Sequence, residues 1–283
     1  MRSLIRLGIT LAILLLLVGA VYYGSNQIGT TAYAFTSQRL SPVLDGFTIV
    51  HLSDFHNKKF PDGNRDLIDR IEDAQPNIIC ITGDLIDRYN RNIEQAIEFI
   101  HSITSIAPVY FVSGNHEQYA GNYARLKPAL IEAGVTVLDD EKTSVDFNGA
   151  KIQLVGLADP SFSTNGIALL QTLIEDNSAF TLLLSHHPEE YEAYLAAGAT
   201  LTLSGHAHGG AARIPFTNIS LFAPDQGFFP YYTSGLIQDQ DQGMIISRGI
   251  GNSVVPIRIF NRPEVVVITL RSENIAHFAL PNT

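Results

Sequence analysis

The sequence contains a single cysteine among 283 residues, and this scarcity limits the chemistry open to the chain. Cys80 has no second cysteine with which to form an internal disulfide bond. It lies within an apolar run typical of a β-strand, so we interpret it as a small buried hydrophobic residue rather than a reactive thiol. A metal centre built on several thiolates is therefore excluded, and any metal ligands must be oxygen or nitrogen atoms.

Positive charge is also scarce. The chain has 18 Lys and Arg residues against 28 Asp and Glu residues, which gives a formal net charge of -10. No basic cluster indicates a groove for nucleic acid, so we expect no nucleic-acid partner. A metal site could still attract phosphate, because bound cations are often the largest local charges. Internal repeats and low-complexity tracts are lacking too, and the length suits one large α/β domain.

Charged residues are missing from one stretch near the N-terminus. Leu7–Tyr23 is an uncharged run of 17 residues that follows Arg2 and Arg6, which predicts a transmembrane helix in residues 1–24. Its positive flank would stay in the cytoplasm, so we expect a single-pass anchor with an extracytoplasmic domain. A signal peptide cleaved near Val18-Gly19-Ala20 is the alternative and would make the protein secreted. Residues 25–45 are expected to form a tether that could contain a first strand.

The rest of the chain alternates between strand and helix patterns. Helical spacing over Asn64–Asp73, Asn92–Ile103 and Tyr123–Ala133 predicts helices between strands, and therefore βαβ units. Residues 211–270, with strands such as Gly243–Ser247 and Val265–Leu270, indicate a second and more mixed sheet. Five apolar runs are typical of strands, and each is followed closely by a polar motif. These runs are Phe47–Leu52, Ile78–Thr82, Val109–Ser113, Phe180–Leu184 and Thr200–Ser204.

Two acidic motifs follow the first two of these strands. In Asp54-Phe55-His56 one residue separates a carboxylate from an imidazole, so in an extended segment both would point to the same side and could share a cation. Gly83-Asp84 would turn the backbone sharply and expose Asp84, whose two oxygens could bridge two metals. Asp87 could orient an imidazole or cap the next helix. Because strand ends are where α/β sheets bind ligands, these residues are candidate ligands.

The other three strand ends carry an amide and several imidazoles. In Gly114-Asn115-His116-Glu117, the Asn115 carbonyl is a neutral ligand, and His116 could protonate a leaving oxygen or stabilise negative charge. Glu117 could hold His116 by a hydrogen bond or act as an ordinary acid at a helix start. Of His186 and His187, only one should face inward, because neighbouring side chains alternate. His206 and His208 in Gly205-His206-Ala207-His208 should again point to one side.

The ordered set of these motifs resembles the calcineurin-like metallophosphoesterase superfamily over residues 46–275. The resemblance implies a four-layer αββα sandwich, preceded here by the N-terminal transmembrane helix and followed by a tail, 276–283. It implies two divalent ions, with Mn, Fe, Zn or Co all compatible with these ligands. It also implies hydrolysis by direct attack of a metal-bridging hydroxide on phosphorus, with His116 assisting the leaving group. The implied metal ligands are Asp54, His56, Asp84, Asn115, His186, His206 and His208, supported by Asp87 and Glu117.

The later part of the chain is similar to a membrane-associated bacterial branch of that superfamily, which includes cell-envelope phosphoesterases and UDP-diacylglucosamine hydrolases. Phe228–Gly235 and Ser247–Gly251 carry this similarity, whereas Ala211 stands where such proteins often have Gln. The expected substrate is thus a phosphomonoester, phosphodiester or pyrophosphate, lipid-linked or wall-linked. The aromatic residues near Phe228 could line an apolar entrance or fill the core. The alternative function is a non-catalytic, metal-binding membrane scaffold that keeps the fold.

Overall fold

The computed structural model describes residues 2–160, 165–174, 178–210, 212–214, 217, 219–252 and 258–273. Its helices are α1 Arg2–Asn26, α2 Arg65–Asp73, α3 Ile93–Thr104, α4 Asn115–Ala120, α5 Tyr123–Glu132, α6 Gly166–Leu173 and α7 Tyr191–Ala196. Its strands are β1 Gly29–Ser37, β2 Thr48–Leu52, β3 Ile78–Thr82, β4 Val109–Val112, β5 Val135–Val137, β6 Glu141–Phe147, β7 Ala150–Gly156, β8 Thr181–Leu184, β9 Leu201–Ser204, β10 Phe222–Ala223, β11 Gly227–Phe228, β12 Gly235–Asp239, β13 Gln242–Ile246 and β14 Glu264–Ser272. Short 3₁₀ turns occupy Pro42–Leu44 and Pro188–Glu190.

These strands form two six-stranded sheets and one small hairpin. The first sheet has the order β1-β14-β2-β3-β4-β5, and the second has the order β12-β13-β9-β8-β7-β6. Neighbours from β2 to β5 are parallel, as are those from β7 through β8 and β9 to β13. Parallel pairs need crossover connections, and helices supply them for every parallel pair from β2 to β5 and from β7 to β9, whereas β10, β11 and β12 lie between β9 and β13.

Alternating side chains on the strands divide the core into layers. In β3, Ile79 and Ile81 pack toward α2, α3 and α5, whereas Ile78 and Cys80 pack between the two sheets. On the far side of the second sheet, Leu183 packs with residues of α6 and α7. The predicted four-layer αββα sandwich is therefore confirmed. The prediction that Cys80 is a buried small hydrophobic residue is confirmed as well, and burial raises the pKa of its thiol.

The predicted segments at the two ends of the domain join the main sheets. The first strand that the sequence allowed within residues 25–45 is present, since residues 29–37 form β1, which pairs with β14 along nine residues. The mixed sheet expected from residues 211–270 does not form separately. Strand β14 returns to the first sheet antiparallel to β2, and β12 and β13 extend the second sheet. Strand pairing is decided by distant partners, which a local pattern does not reveal.

Helix α1 is unlike the others because it packs against little of the domain. The stretch Leu4–Asn26 is long and apolar enough to cross a membrane, and none of its most apolar window is buried. A signal sequence would have the same length and composition, so the finding agrees with both alternatives predicted from the sequence. Two features named in the sequence analysis lie outside the described residues: Ala211 and the tail at 276–283.

Candidate metal centre

The five predicted strand ends meet at one place between the two sheets. Strands β2, β3 and β4 of the first sheet deliver the motifs that begin at residues 54, 83 and 114, and β8 and β9 of the second sheet deliver the histidine motifs. The carboxyl ends of parallel strands lie along one edge of each sheet, and here the two edges adjoin. Six of the seven predicted ligands are buried, and the seventh, Asn115, is half-buried.

One group of ligand atoms forms around His56 and His208. Their Nε2 atoms lie 3.2 Å apart. The Nε2 atom of His208 is 3.2 Å from Oδ1 of Asp54, and that of His56 is 3.6 Å from Oδ2 of Asp84. These four side chains each place one ligand atom within 4.8 Å of the others.

A second group forms around His186 and shares Asp84 with the first. The Nε2 atom of His186 lies 3.3 Å from Oδ2 of Asp84, 3.2 Å from Nδ1 of His206 and 3.2 Å from Oδ1 of Asn115. The same oxygen of Asp84 therefore faces an imidazole of each group. The structure thus brings together all seven side chains that the sequence predicted.

The backbone achieves this convergence differently from the way the spacing suggested. Asp54, His56, His206 and His208 all have positive φ angles, between 48° and 64°. The prediction that the pairs Asp54 and His56, and His206 and His208, lie in extended segments that would place both side chains on one side is therefore wrong about the backbone. Left-handed residues are uncommon outside glycine and cluster where surrounding structure imposes them.

Gly83 shows how tightly the loops are packed at this centre. Its φ is +84°, and a Cβ atom placed there would lie 2.6 Å from the Cα of Gly114 and 2.8 Å from Nδ1 of His186. A glycine at this position therefore lets the loops after β3 and β4 touch while His186 packs over them.

The donor set fits divalent cations. Nδ1 of His186 donates to the Thr82 carbonyl at 2.6 Å, and a carbonyl can only accept, so Nε2 of the neutral ring presents a lone pair. Nε2 of His206 lies 2.7 Å from the Asp225 carboxylate, which in the same way leaves its Nδ1 as the acceptor. Two inward-facing lone pairs only 3.2 Å apart repel each other unless a cation or a proton lies between them. Outer carboxylate and carbonyl partners of this kind orient metal-binding imidazoles in many metalloproteins.

The ionisation of the centre agrees with this fit. Burial opposes the charge on Asp84, but the neighbouring His186 outweighs it and holds the pKa of Asp84 well below its ordinary value. Burial lowers the pKa of His208 to about 3, so this ring is neutral at pH 7 and can donate its lone pair. Ionised carboxylates and neutral imidazoles are the forms that bind metals.

Asp87 orients two imidazoles and also caps a turn. Its Oδ2 atom lies 3.1 Å from Nδ1 of His116 and 3.4 Å from Nδ1 of His56, and its Oδ1 atom accepts the Tyr89 N–H at 2.7 Å. Of the two alternatives left open by the sequence, the first is therefore present, whereas the cap of the next helix, α3, is Asn92 and not Asp87. For His116, burial lowers the pKa, but the hydrogen bond to Asp87 and the charges of Asp84 and Asp87 outweigh it, and the pKa is raised.

Glu117 holds the backbone of the centre. Its two carboxylate oxygens accept the N–H groups of Gly114 at 2.7 Å, Asp84 at 2.9 Å, Leu85 at 2.9 Å and Ile86 at 3.2 Å. It is an acid at the start of α4, as one alternative predicted, and no described hydrogen bond joins it to His116. Through these bonds it fixes the loop that presents Asp84.

Sequence reasoning missed the partners of two histidines. Asp225, which bonds His206, lies in the turn of the β10–β11 hairpin, and no local pattern links it to that histidine. His187 belongs to neither of the two ligand groups, but its ring packs beside one of them, with its centroid 4.4 Å from that of His206, so the alternation argument is confirmed only in part. It lies 2.6 Å from both Asp159 and Glu189, and burial is outweighed by these carboxylates, which raise its pKa to about 9.

Comparison with known proteins agrees with this geometry. Residues 47–210 match the family model for calcineurin-like phosphoesterases. The metallophosphoesterase YkuE of Bacillus subtilis is 27% identical over 260 residues, which cover 90% of each chain. Phosphodiesterase YaeI of Escherichia coli is 28% identical over 229 residues, covering 79% of this chain and 82% of YaeI. A Bos taurus transmembrane protein with a metallophosphoesterase domain is 27% identical over 255 residues, covering 83% of this chain and 55% of the bovine protein. The chain therefore belongs to the calcineurin-like phosphoesterase family and is a metallophosphoesterase, an enzyme class that uses two divalent metal ions.

Proposed function

We propose that this metallophosphoesterase is anchored in a membrane by α1 and hydrolyses a phosphomonoester, phosphodiester or pyrophosphate of an envelope or lipid-linked substrate. The observation that carries the catalytic part is the position of Asp84, whose Oδ2 atom faces both groups of ligand atoms. A carboxylate shared in this way suits two cations held close together.

The ligands divide between two sites in this proposal. Asp54, His56 and His208 hold one ion, and Asn115, His186 and His206 hold the other, with Asp84 shared between them. When bound, the two ions supply Lewis acidity to the phosphate oxygens and a nucleophile at neutral pH.

The chain itself fixes the geometry of these ligands. The Thr82 carbonyl and the Asp225 carboxylate hold the rings of His186 and His206 so that their free nitrogens face inward. Because these partners also determine which nitrogen carries the proton, the ligands need little rearrangement on binding.

His116 acts as the proton donor or as the positive charge beside the leaving oxygen. Asp87 holds the proton on Nδ1, so Nε2 carries the proton that can be transferred. The raised pKa favours the protonated form of the ring in the metal-free chain. Bound cations would lower this pKa, which moves it toward the range useful for acid catalysis.

The substrate part of the proposal is supported by α1 and by the loops next to the metal centre. A helix long and apolar enough to span a bilayer would keep the centre near the membrane, with the domain on the extracytoplasmic side. Phe228–Gly235 and Ser247–Gly251 are the segments similar to the membrane-associated bacterial branch. The second of these segments adjoins the centre, since Gly249 packs against the Cβ of Asp54 and Ile250 donates its N–H to the Ser53 carbonyl.

The catalytic part is tested with the full chain in detergent. We expect hydrolysis of p-nitrophenyl phosphate or its bis-ester with added Mn²⁺, and loss of this activity in EDTA. His116→Ala should keep two equivalents of metal and lose about 10²–10⁴ in rate, the range for a general acid. Asp84→Ala should lose metal. The exposed His101 provides the matched control, because His101→Ala should change neither property.

The result also distinguishes the scaffold alternative. A non-catalytic scaffold would bind metal in the wild type but show no turnover with any divalent ion. Loss of metal in His116→Ala, together with retention in Asp84→Ala, would instead refute the division of roles.

A further inference from the structure

A second feature of the molecule lies beside the metal centre and exposes large apolar side chains. We call it the apolar ribbon and define it by Leu221, Phe222, Phe228, Phe229, Ile259 and Phe260. Phe228 is 79% exposed, Phe229 69% and Phe260 67%. Exposed groups of this kind mark binding surfaces for proteins or membranes.

The ribbon is one continuous structure although its residues come from separate segments. The Phe222 and Phe228 rings pack edge to face with centroids 5.5 Å apart on the β10–β11 hairpin. Phe229 donates its N–H to the Leu221 carbonyl at 3.1 Å, and Leu221 donates to the Ala212 carbonyl at 2.9 Å. Ala212 in turn forms a bridge with Ile259. The three ribbon segments and the intervening residue Ala212 therefore lie side by side, each about 4.8 Å from the next as in a sheet.

The ribbon adjoins the end of the apolar helix α1. The Arg258 N–H donates to Oγ of Ser25 at 3.1 Å, and the Gly29 N–H donates to the Pro263 carbonyl at 2.8 Å. Ile259 and Phe260 thus lie in a short segment that is hydrogen-bonded at one end to Ser25, in the last turn of α1, and at the other end to Gly29, which begins β1. If α1 spans a bilayer, this segment emerges at the membrane surface.

Basic side chains surround the same place in a chain whose net charge is -10. The exposed Arg262 guanidinium lies 5.7 Å from the Tyr23 ring, and Nζ of Lys58 is 3.4 Å from the Ser25 carbonyl. Lys59 is exposed next to it. Lysine and arginine near a membrane surface attract anionic headgroups, while aromatic rings favour the interface.

We propose that the apolar ribbon docks onto a lipid bilayer with anionic headgroups, inserting its phenyl rings beside α1. This inference rests on the membrane anchor in the proposed function. An interfacial segment of this kind buries its apolar side chains about 5–10 Å into the headgroup boundary.

Docking of the ribbon would bring the metal centre to the membrane surface. Nδ2 of Asn261 donates to the His208 carbonyl at 2.6 Å and to the Gly210 carbonyl at 3.0 Å, and Oγ of Ser220 donates to the Gly209 carbonyl at 2.8 Å. The loop that carries the ligands His206 and His208 is therefore hydrogen-bonded to residues next to two segments of the ribbon, the one with Leu221 and Phe222 and the one with Ile259 and Phe260. This arrangement gives the enzyme direct access to phosphoesters on lipid headgroups.

The chain contains no tryptophan, so a single introduced tryptophan reports its own surroundings. The test places Phe229→Trp and Phe260→Trp separately in the full chain and reconstitutes each in vesicles of anionic and zwitterionic lipids, with or without brominated acyl chains. Ile131→Trp is the matched control, because Ile131 is 56% exposed on α5, which packs at the β5 edge. That edge is five strand spacings, about 24 Å, from β1.

We expect bromine to reduce the fluorescence of Phe229→Trp and Phe260→Trp and to leave that of Ile131→Trp unchanged. Equal fluorescence with and without bromine at both ribbon positions would overturn the proposal. A change that depends on protein concentration and not on bromine would also overturn it, because it would assign the ribbon to a second copy of the chain.

Two further measurements separate this inference from the proposed function. Leu11→Trp reports the anchor, since Leu11 lies within the apolar part of α1. Quenching at Leu11 without quenching at the ribbon refutes docking and leaves the anchor standing, whereas no quenching at Leu11 refutes both. Hydrolysis of a soluble p-nitrophenyl ester by each variant shows that the domain is folded and tests the catalytic proposal independently.

Discussion

Replacement of Glu117 by glutamine should destabilise the whole domain, although it changes only one buried oxygen to an NH₂ group. Both oxygens of Glu117 face donors alone: one accepts the N–H groups of Asp84 and Gly114, and the other accepts those of Leu85 and Ile86. Glutamine has one carbonyl oxygen. In either orientation of its amide, two backbone N–H groups would face another donor.

The magnitude follows from the number of bonds lost. A hydrogen bond to a charged group contributes about 1.5–3 kcal/mol, so the loss of two corresponds to roughly 3–6 kcal/mol. Local relaxation will reduce this value, and we expect the free energy of unfolding to fall by about 3 kcal/mol. By the scaling for domains of about 150–250 residues, the melting temperature should fall by roughly 6–12 °C.

The assay is thermal unfolding of the full chain in detergent with EDTA. Near-ultraviolet circular dichroism monitors the unfolding, because it reports the packing of the domain. Glu98→Gln is the matched control, because Glu98 is exposed on α3, and its melting temperature should equal that of the wild type. Burial and the charge of Asp84 raise the pKa of Glu117 to about 8 although the backbone donors oppose the rise, so unfolding is measured at about pH 9, where the carboxylate is charged. A loss below about 1 kcal/mol would refute our reasoning, because glutamine closely resembles a neutral acid.

Two other substitutions test the outer partners of the centre. Because Asp87 raises the pKa of His116 and the protonated ring is the proposed active form, Asp87→Asn should move the alkaline limb of the pH–rate profile toward acid by about 1–3 units, the usual effect of one neighbouring charge. An unmoved limb with unchanged metal content would contradict the role of His116. Asp225→Asn should weaken binding of one metal about 10–100-fold, because Asp225 orients His206. Calorimetric metal titration checks this, with the exposed Asp69→Asn as the control; equal affinities would show that this carboxylate does not orient the ligand.

The strands that carry the metal centre could be predicted from the sequence because they are buried on both faces. Strands β2, β3, β8 and β9 are almost entirely apolar or buried, and each ends two residues before a metal ligand predicted from the sequence. Parallel strands covered by helices have this pattern, so their ends are visible in the sequence. Strand β1 alternates between half-buried and exposed residues until Phe35, a pattern typical of a sheet edge, so the sequence indicated it only as a possible strand within a tether.

The partners of the ligands could not be predicted, because contact between them depends on distant parts of the chain. Asp225 meets His206 although the two are 19 positions apart in the chain, and Glu117 meets the backbone of Asp84, which is 33 positions away. Neither acid belongs to a periodic pattern. The local argument for Asp54 and His56 identified the correct residues by an incorrect geometry, since left-handed backbone angles and not an extended strand aim the two side chains.

By itself, the sequence determined which residues could bind metal and which segments form the buried strands, because both depend on residue type and short-range order. Only the tertiary structure decided that the strand ends of two different sheets meet, that Asp84 lies between two groups of histidines, and that an exposed apolar ribbon lies next to the end of α1. The physical reason is that these outcomes depend on pairing and packing between residues far apart in the chain. The one cysteine, from which the sequence already excluded a thiolate centre, lies buried between the two sheets whose edges form this oxygen and nitrogen site.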